Sequence, residues 1–298
     1  MEKVIGAKAH NRHKKFNGYS GAAKVVRGVV VLIFAVYAVL LMFPYVYALD
    51  ISFMENGRAF VRNPIHVPWP LHFENYVRAF QELEINDNNF FMMLLNSMWY
   101  SVLSPALGIF VSTCTGYVVC KYDFRGKKFI YNMVLVVMMI PVMGSFTAQY
   151  RLYNQLGFVN SPFILITAAG GFGSQFLYVY SFFKTVSWNY AEAAFMDGAG
   201  HFLVFYKIMM PMIMPMLTAF FVMGFVGSWN DVQGPLTWLE ELPTLSYGIY
   251  AYEQMAKYFA NEPIYFAGVI LSIIPVVILF IFFQNAIMNN VSIGGLKG

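Results

Sequence analysis

Six stretches of the sequence run for at least 22 residues without a charged side chain. They cover residues 28–49, 88–120, 129–150, 152–183, 208–230 and 263–296. About 20 helical residues cross the apolar core of a bilayer, so each stretch is long enough to span it. Only 11% of the 298 residues are charged, too few to cover the surface of a water-soluble domain. The sequence therefore predicts an all-α, polytopic membrane protein with six transmembrane helices.

The distribution of charge predicts which side of the membrane each connecting segment faces. Segments 1–27, 121–128, 184–207 and 297–298 together hold 14 of the 19 Lys and Arg residues, whereas 11 of the 15 acidic residues fall in the other segments. Because basic residues are enriched in cytoplasmic loops, these four segments and both termini are predicted to be cytoplasmic. Residues 1–27 are interpreted as a cytoplasmic tail, since the stretch after them lacks a cleavage signal. Nucleic-acid binding is not expected, because no aromatic or motif pattern accompanies the basic residues.

The sequence lacks the residue patterns that are typical of ion coupling, ATP binding and metal binding. None of the six stretches holds Asp, Glu, Lys or Arg, although ion-coupled transporters usually place such residues at the bilayer midplane. The sequence has no Gly-x-x-x-x-Gly-Lys-Ser/Thr phosphate loop, so the chain is not expected to bind ATP. Its five histidines lack metal-site spacing, and Cys114 and Cys120 lie six residues apart within one stretch. We therefore expect no cofactor or metal in this chain and no enzymatic activity.

The segment between the fourth and fifth stretches has the most specific pattern. Residues 190–195 offer alanine and aromatic surface for a short helix, and Gly198 and Gly200 allow a sharp break after it. A second helix then leads to Pro211, which suits the first turn of the next span. The segment is predicted to form a protruding helix-turn-helix to which a soluble partner could bind.

This segment resembles the EAA loop of ABC importer permeases. The family pattern is Glu-Ala-Ala, two residues, Asp-Gly-Ala, five residues, Phe, two residues, Ile, two residues, Pro, three residues, Pro. All ten positions match: Glu192, Ala193, Ala194, Asp197, Gly198, Ala199, Phe205, Ile208, Pro211 and Pro215. An ordinary amphipathic loop would not produce ten matches at fixed spacing. The chain is therefore identified as similar to the binding-protein-dependent ABC importer permeases.

Shorter matches resemble the carbohydrate branch of that family, and within it the second, shorter permease subunit of the maltose type. They are Phe73-Glu74-Asn75-Tyr76, Asn96-Ser97, Phe124-Arg125-Gly126, Ser228-Trp229-Asn230-Asp231 and the terminal residues Gly294 to Gly298. Asn290 departs from the branch, which commonly has glycine before the terminal match.

The resemblance implies a mechanism and a set of partners. In the family, the loop is a coupling helix that docks into a cleft on a cytoplasmic ATPase, of which two copies bind ATP and Mg. Their closure draws two homologous permease subunits together, and an extracytoplasmic solute-binding protein delivers the substrate. The implied organisation is a tail 1–27, a permease domain 28–296 with its coupling loop 192–215, and an end 297–298, in the bacterial cytoplasmic membrane. ATPase coupling is assigned to Glu192, Ala193, Ala194, Asp197, Gly198, Ala199 and Gly200.

Two of these residues have a simpler interpretation as well. Glu192 suits a charged contact with the ATPase, and it equally suits stabilisation of its own helix N-terminus. Asp197 suits a cap on the second helix as much as a partner contact.

Candidates for the substrate path are aromatic and neutral polar side chains near the span ends, because such groups bind sugars. They are Asn96, Gln149, Tyr150, Gln175, Tyr178, Trp229 and Asn230. The same residue types more often occupy the membrane interface or pack between helices. Residues 71–80 are similarly open to two interpretations: an amphipathic helix that binds an external partner, or one that lies in the interface.

Several functions are compatible with these observations. The leading hypothesis is a permease for a sugar or oligosaccharide, and the nearest alternative is the same family acting on another small solute such as glycerol phosphate. A membrane channel belongs to a different class and would not need the spacing of the coupling loop. A membrane-embedded enzyme would need a polar catalytic cluster within the spans, and the sequence offers none.

Overall fold

The computed structural model describes residues 21–57, 68–140, 144–259 and 262–291. The chain divides into two compact units, Met1–Tyr47 and Ala48–Gly298. Most of helix α1, Gly21–Ser52, belongs to the first unit, and it contains the continuous apolar run from Val29 to Leu41. Parts of the sequence interpreted above lie outside the described residues: the tail up to residue 20, residues 141–143 of the third charge-free stretch and the terminal match from Gly294.

The described residues of the second unit are almost entirely helical. Its one sheet pairs β1, Glu84–Ile85, with β2, Asn88–Asn89, in antiparallel register with Glu84 opposite Asn89. The helices are α2 Glu74–Glu82, α3 Phe90–Lys121, α4 Lys127–Met139, α5 Phe146–Gln155, a 3₁₀ helix Pro162–Ala168, α6 Ser174–Thr185, α7 Asn189–Met196, α8 His201–Val204, a π-helix Phe205–Met209, α9 Met210–Trp229, α10 Gln233–Trp238, α11 Leu245–Phe259 and α12 Glu262–Val291.

In the described part of the chain, four helices are long and apolar enough to cross a membrane. They are Ala23–Ser52, Phe90–Lys121, His201–Trp229 and Glu262–Gln284. These helices coincide with four of the predicted spans, 28–49, 88–120, 208–230 and 263–296. The helical, polytopic character predicted from the charge-free stretches is therefore confirmed.

The other two predicted spans, 129–150 and 152–183, are not single helices. The first is divided between α4 and α5, and Gly144 between them has a φ of +80°. The second is divided between the end of α5, the 3₁₀ helix and α6, and Gly157 turns the chain with a φ of +69°. Glycine interrupts a helix by adopting conformations that other residues avoid, even where no charge marks a break. The count of six spans therefore stays a prediction.

Helix α3 lies at the centre of the second unit because small residues let its neighbours approach closely. Its buried small residues are Ser97, Ser101, Gly108, Ser112, Thr113 and Gly116. A Cβ atom on Gly116 would lie 2.8 Å from Cγ1 of Val179 on α6, and one on Gly224 of α9 would lie 2.6 Å from Cβ of Pro105. Close approach at small residues is a principal source of helix association in membranes. Packing of α6 and α9 on α3 therefore depends on these glycines.

The substitution Gly224→Val is expected to destabilise the packing of α9 on α3 by about 1–3 kcal/mol, the usual cost of overfilling a packed interface. The matched control is Gly227→Val on the same helix, where an added Cβ would have no neighbour within 4 Å. The midpoint of thermal unfolding in detergent should fall for the first variant and change little for the second. Equal midpoints for the two variants would contradict this packing.

Helix α2 confirms the amphipathic helix predicted near residues 71–80 and shows which side of it packs. Asn75 and Ala79 are buried, whereas Phe73, Val77 and Phe80 are exposed. The Asn75 amide donates hydrogen bonds to the carbonyls of Ser52 and Met54, at 2.9 and 2.7 Å. The apolar side of α2 thus remains available to the membrane interface or to a partner.

Candidate functional site

The predicted coupling loop forms a short helix that ends in a tight turn. Helix α7 is closed by two backbone hydrogen bonds, from Gly198 N to Phe195 O at 3.0 Å and from Ala199 N to Ala194 O at 2.9 Å. This pair of bonds is the Schellman arrangement, which requires a left-handed residue after the helix. Gly198 fills that position with a φ of +83°. The break predicted at Gly198 therefore has a specific geometry.

The two faces of α7 have different environments. Ala191 and Ala194 are buried against the helices behind the loop, while Glu192 and Ala193 are exposed. Met196 is 89% exposed at the end of the helix, an unusual position for a large apolar side chain. Asp197, Gly198 and Gly200 are exposed in the turn, and Ala199 is half-buried. The loop therefore presents one apolar and acidic surface outward from a firmly packed base.

The structure excludes one interpretation given above for Asp197 and leaves both interpretations of Glu192 open. Asp197 is the C-cap residue of α7, and the N-cap of α8 is Gly200, so Asp197 does not cap the second helix. Glu192 lies in the first turn of α7, where its charge is favourable to the helix dipole, and its side chain is free to contact a partner as well.

A cluster of aromatic rings fastens the base of the loop to the end of α3. We call this cluster the aromatic joint; its members are Tyr117, Tyr122, Trp188, Phe195, His201 and Phe205. Ring centroids are separated by 4.9 Å for Tyr117 and Phe205, 5.8 Å for Tyr122 and Trp188, and 4.8 Å for Phe195 and His201. Such distances are typical of favourable aromatic pairs. The Tyr122 hydroxyl also forms a hydrogen bond with Nδ1 of His201 at 2.8 Å.

The chain leaves the joint through a local widening of the helix. Residues Phe205–Met209 form a single π-helical turn between α8 and α9. Pro211 follows in the first turn of α9, where its missing N–H requires no partner. Phe205 and Met209 are nevertheless buried in the same apolar cluster as Ala191 and Ala194. The segment 201–229 is therefore one continuous helical path from the loop into the apolar bundle.

A second group of aromatic residues surrounds Trp238 at the far end of this path. Its indole ring lies 5.5 Å from Phe146, 6.0 Å from Tyr150 and 5.2 Å from Tyr153, measured between centroids. Tyr150 and Trp238 are nearly parallel, with an interplanar angle of 24°. Phe146 and Tyr150 are exposed and Trp238 is half-buried. We call these four residues the outer aromatic cluster, because they belong to segments predicted to lie at the extracytoplasmic side.

Three of the predicted substrate-path residues donate hydrogen bonds to backbone carbonyls. Asn96 donates to the carbonyl of Pro243 at 3.1 Å and accepts from Trp99 at 3.2 Å. Trp229 is 4% exposed, and its indole N–H donates to the carbonyl of Ser272 at 3.2 Å. Asn230 donates to the carbonyl of Val226 on its own helix, while its residue stays exposed. These side chains hold helices and loops in place; a role in substrate contact stays a prediction for each.

The other predicted substrate-path residues are more open. Gln149 and Tyr150 are exposed on α5, and Tyr150 belongs to the outer aromatic cluster. Tyr178 is exposed on α6, with its ring 5.6 Å from Phe220. Gln175 is half-buried facing Gly108. Of the predicted set, Tyr150 is therefore a member of the cluster around Trp238, and Gln149 precedes it on α5.

Three features were not predicted from the sequence. Trp238 was not predicted to contact a sugar, although an aromatic residue in a predicted outer segment is a recognisable signal for sugar binding. Met196 lies between two positions of the coupling pattern, and its exposure depends on where α7 ends. The contact between Tyr122 and His201 joins residues 79 positions apart in the chain, and periodicity carries no information on such a pair. Among the described residues, no group of three His, Cys, Asp or Glu residues could hold a metal ion.

The chain matches a known protein family. The family described as "Binding-protein-dependent transport system inner membrane component" matches residues 106–292, which contain the coupling loop and the whole of α9. That range covers more than half of the chain.

Several curated proteins are similar over most of their length. The arabinooligosaccharides transport system permease protein AraQ of Halalkalibacterium halodurans is 28% identical over 271 residues, covering 89% of this chain and 94% of that protein. The diacetylchitobiose uptake system permease protein NgcG of Streptomyces coelicolor is 28% identical, covering 88% and 86%. The maltodextrin transport system permease protein MalD of Streptococcus pneumoniae is 29% identical, covering 76% and 81%.

One solved structure has a closely similar fold. It is a bacterial ABC transporter involved in the import of the acidic polysaccharide alginate, with a TM-score of 0.73 over 90% of this chain and 98% of the matched chain. The two sequences are 20% identical, so the likeness concerns the fold alone.

Proposed function

The chain belongs to the family of inner membrane components of binding-protein-dependent transport systems, and from that premise we propose that it is one permease subunit of an ATP-driven oligosaccharide importer. The observation that carries the proposal is the segment 192–215, whose ten family positions lie on α7, its exposed turn, the π-helical turn and the start of α9. A loop of this kind suits the transfer of motion from a soluble partner to the membrane helices.

The names of the relatives favour a sugar over the alternatives. Relatives that cover most of the chain are named for arabinooligosaccharides, diacetylchitobiose and maltodextrin. None of these relatives is named for glycerol phosphate or for a channel. We propose a neutral oligosaccharide, because the apolar spans offer no positive charge to hold an anion.

The proposed topology has six spans with both termini in the cytoplasm. In this arrangement 129–150 and 152–183 cross the membrane as broken helices, each helped by irregular backbone that packs against protein rather than lipid. The close packing of Gly171 on Val111 and Thr115 of α3 supports such a protected break. Residues 1–27 and 297–298 are then cytoplasmic, and 28–296 is the permease domain.

The proposed coupling surface is the exposed side of α7 and its turn. Met196 lies one helical turn after Glu192 and Ala193, at i+4 and i+3, so it shares an exposed face with each of them. Gly198 sets the turn, while Ala191 and Ala194 fix the helix to the bundle. Asp197, Ala199 and Gly200 complete the surface beside Gly198.

The proposed complex contains this chain, a homologous second permease subunit, two copies of a cytoplasmic ATPase and an extracytoplasmic solute-binding protein, in the bacterial cytoplasmic membrane. ATP and Mg would bind to the ATPase alone. A related transporter has been solved in complex with an alginate pentasaccharide-bound periplasmic protein, which supports this composition by analogy.

The proposed function is tested by uptake into proteoliposomes that contain the assembled importer, its binding protein and internal ATP with Mg. Arabinotriose, diacetylchitobiose and maltotriose form a suitable panel of probes. At least one of them should accumulate, and omission of this chain should abolish the accumulation. The proposal would be wrong if none accumulates with the complete set of partners, or if uptake persists without this chain.

A further inference from the structure

Helix α3 is hydrogen-bonded to the segment 201–231 at two widely separated points. Near its C-terminal end, the Tyr122 hydroxyl lies 2.8 Å from Nδ1 of His201; we call this pair the inner tyrosine contact. Nearer its N-terminal end, the Tyr100 hydroxyl donates to Oδ2 of Asp231 at 3.0 Å; we call this pair the outer tyrosine contact. At ~1.5 Å per helical residue, the two tyrosines are separated by about 33 Å along the helix, close to the thickness of a bilayer core.

Between the two contacts, α3 and α9 are interlocked. Gly224 of α9 approaches Pro105 so closely that an added Cβ would lie 2.6 Å from the proline Cβ. Ile109 of α3 shares a buried apolar cluster with Ile213 and Leu217 of α9. Closely packed interiors transmit displacement rather than absorb it. The pair of helices is therefore suited to move as one body.

The inner tyrosine contact lies inside the aromatic joint. Tyr122 contacts Trp188 just before α7 and His201 at the start of α8, so it contacts the chain on both sides of α7 and its turn. A displacement of α7 would therefore act on the end of α3 through this side chain.

The outer tyrosine contact leads to the segment that carries Trp238. Oδ1 of Asp231 accepts from the backbone N–H of Gly234 in α10, and its carbonyl accepts from the Ser246 hydroxyl in α11. Two further bonds tie α3 to the same region: Asn96 donates to the Pro243 carbonyl, and Ser97 accepts from Leu245 N at 2.7 Å. Motion of α3 would therefore be passed to the residues 231–246.

We infer that Tyr122 and Tyr100 are positioning residues that act in series, the first passing motion of the coupling loop to α3 and the second passing it to the segment 231–246. The inference rests on the proposed function, because it needs an ATPase that moves the loop. It assigns both hydroxyls a role in coupling ATP hydrolysis to opening of the outer side. Neither residue belongs to the coupling pattern at 192–215.

The test is the ratio of sugar uptake to ATP hydrolysis in the proteoliposomes described above, with whichever of the three probes the unmodified importer accumulates. Tyr122→Phe and Tyr100→Phe keep their rings and remove one hydroxyl each. Each should lower the ratio about fivefold, the equilibrium effect of one hydrogen bond of ordinary strength. Because the two contacts act in series, the ratio in the double variant should be no lower than the ratio in the more impaired single variant. If the two defects were independent, their effects on the ratio would multiply.

Three controls separate positioning from general damage. Asp231→Asn keeps an oxygen that can accept from Tyr100 and should retain most of the ratio, whereas Asp231→Ala should lower it as Tyr100→Phe does. Tyr206→Phe removes a hydroxyl from an exposed tyrosine of the same segment and should leave the ratio unchanged. Co-purification of the partner chains confirms assembly of every variant.

Two results would overturn the inference. In the first, a probe accumulates, but either the phenylalanine variants keep the unmodified ratio or the effects of the two substitutions multiply in the double variant. The series contact is then wrong, while the proposed function stands. If no probe accumulates with the unmodified chain, the proposed function and this inference fall together.

Discussion

Gly198→Val is expected to reduce ATP-driven uptake about 30-fold while the importer still assembles. The φ of Gly198 is +83°, and a left-handed conformation costs an ordinary residue roughly 1–2 kcal/mol, with more for a β-branched one. Valine would therefore favour turns that break the hydrogen bonds from Gly198 and Ala199 to the end of α7. The measurement is uptake and substrate-stimulated ATP hydrolysis in proteoliposomes, with co-purification of the partner chains to show assembly.

Gly198→Asn is the matched control for the turn. After glycine, asparagine is the residue most often found in the left-handed position that ends a helix, so the turn should persist. An added Cβ at Gly198 would meet nothing within 4 Å in this chain, so internal crowding does not complicate the comparison. Uptake should be largely retained in the Asn variant. Unchanged uptake and ATP hydrolysis in the Val variant would contradict a coupling role for this turn.

Trp238→Ala is expected to raise the sugar concentration needed for half-maximal transport by about 30-fold. Loss of a tryptophan that anchors a ligand typically costs 2 kcal/mol or more, because its ring supplies both apolar area and a flat face. The indole is held by Phe146, Tyr150 and Tyr153 and stays partly exposed, and a partly exposed aromatic ring suits contact with the apolar face of a sugar ring. Its backbone carbonyl accepts from Asn160 N at 2.7 Å, and the substitution leaves that bond in place.

Two variants separate sugar binding from local structure. Trp238→Phe keeps a flat ring and should recover much of the affinity. Leu236→Ala changes an exposed apolar residue on the same helix and should have little effect. A Trp238→Ala importer with unchanged half-maximal concentration would exclude the outer aromatic cluster from the substrate path.

The sequence alone determined the class of protein and the identity of its most specific loop. The length of a stretch without charges is a property of consecutive residues, and it identified the four long apolar helices. A bilayer sets the minimum length of a membrane-spanning helix, whatever the helix packs against. The fixed spacing from Glu192 to Pro215 is also local, so it placed the turn at Gly198 without any knowledge of the fold. Both signals come from constraints that act along the chain.

The tertiary structure decided everything that depends on contact between distant residues. Absence of charge did not reveal the breaks in 129–150 and 152–183, which lie beside Gly144 and Gly157, because a glycine with positive φ carries no charge signal. Asn96 and Trp229 were candidates for sugar contact because one is neutral and polar and the other aromatic. In the folded chain, Asn96 bonds to the Pro243 carbonyl just before α11, and Trp229 of α9 bonds to the Ser272 carbonyl of α12. The inner and outer tyrosine contacts join residues 79 and 131 positions apart. Side-chain pairing at such separations is set by how helices pack, which composition and periodicity do not encode.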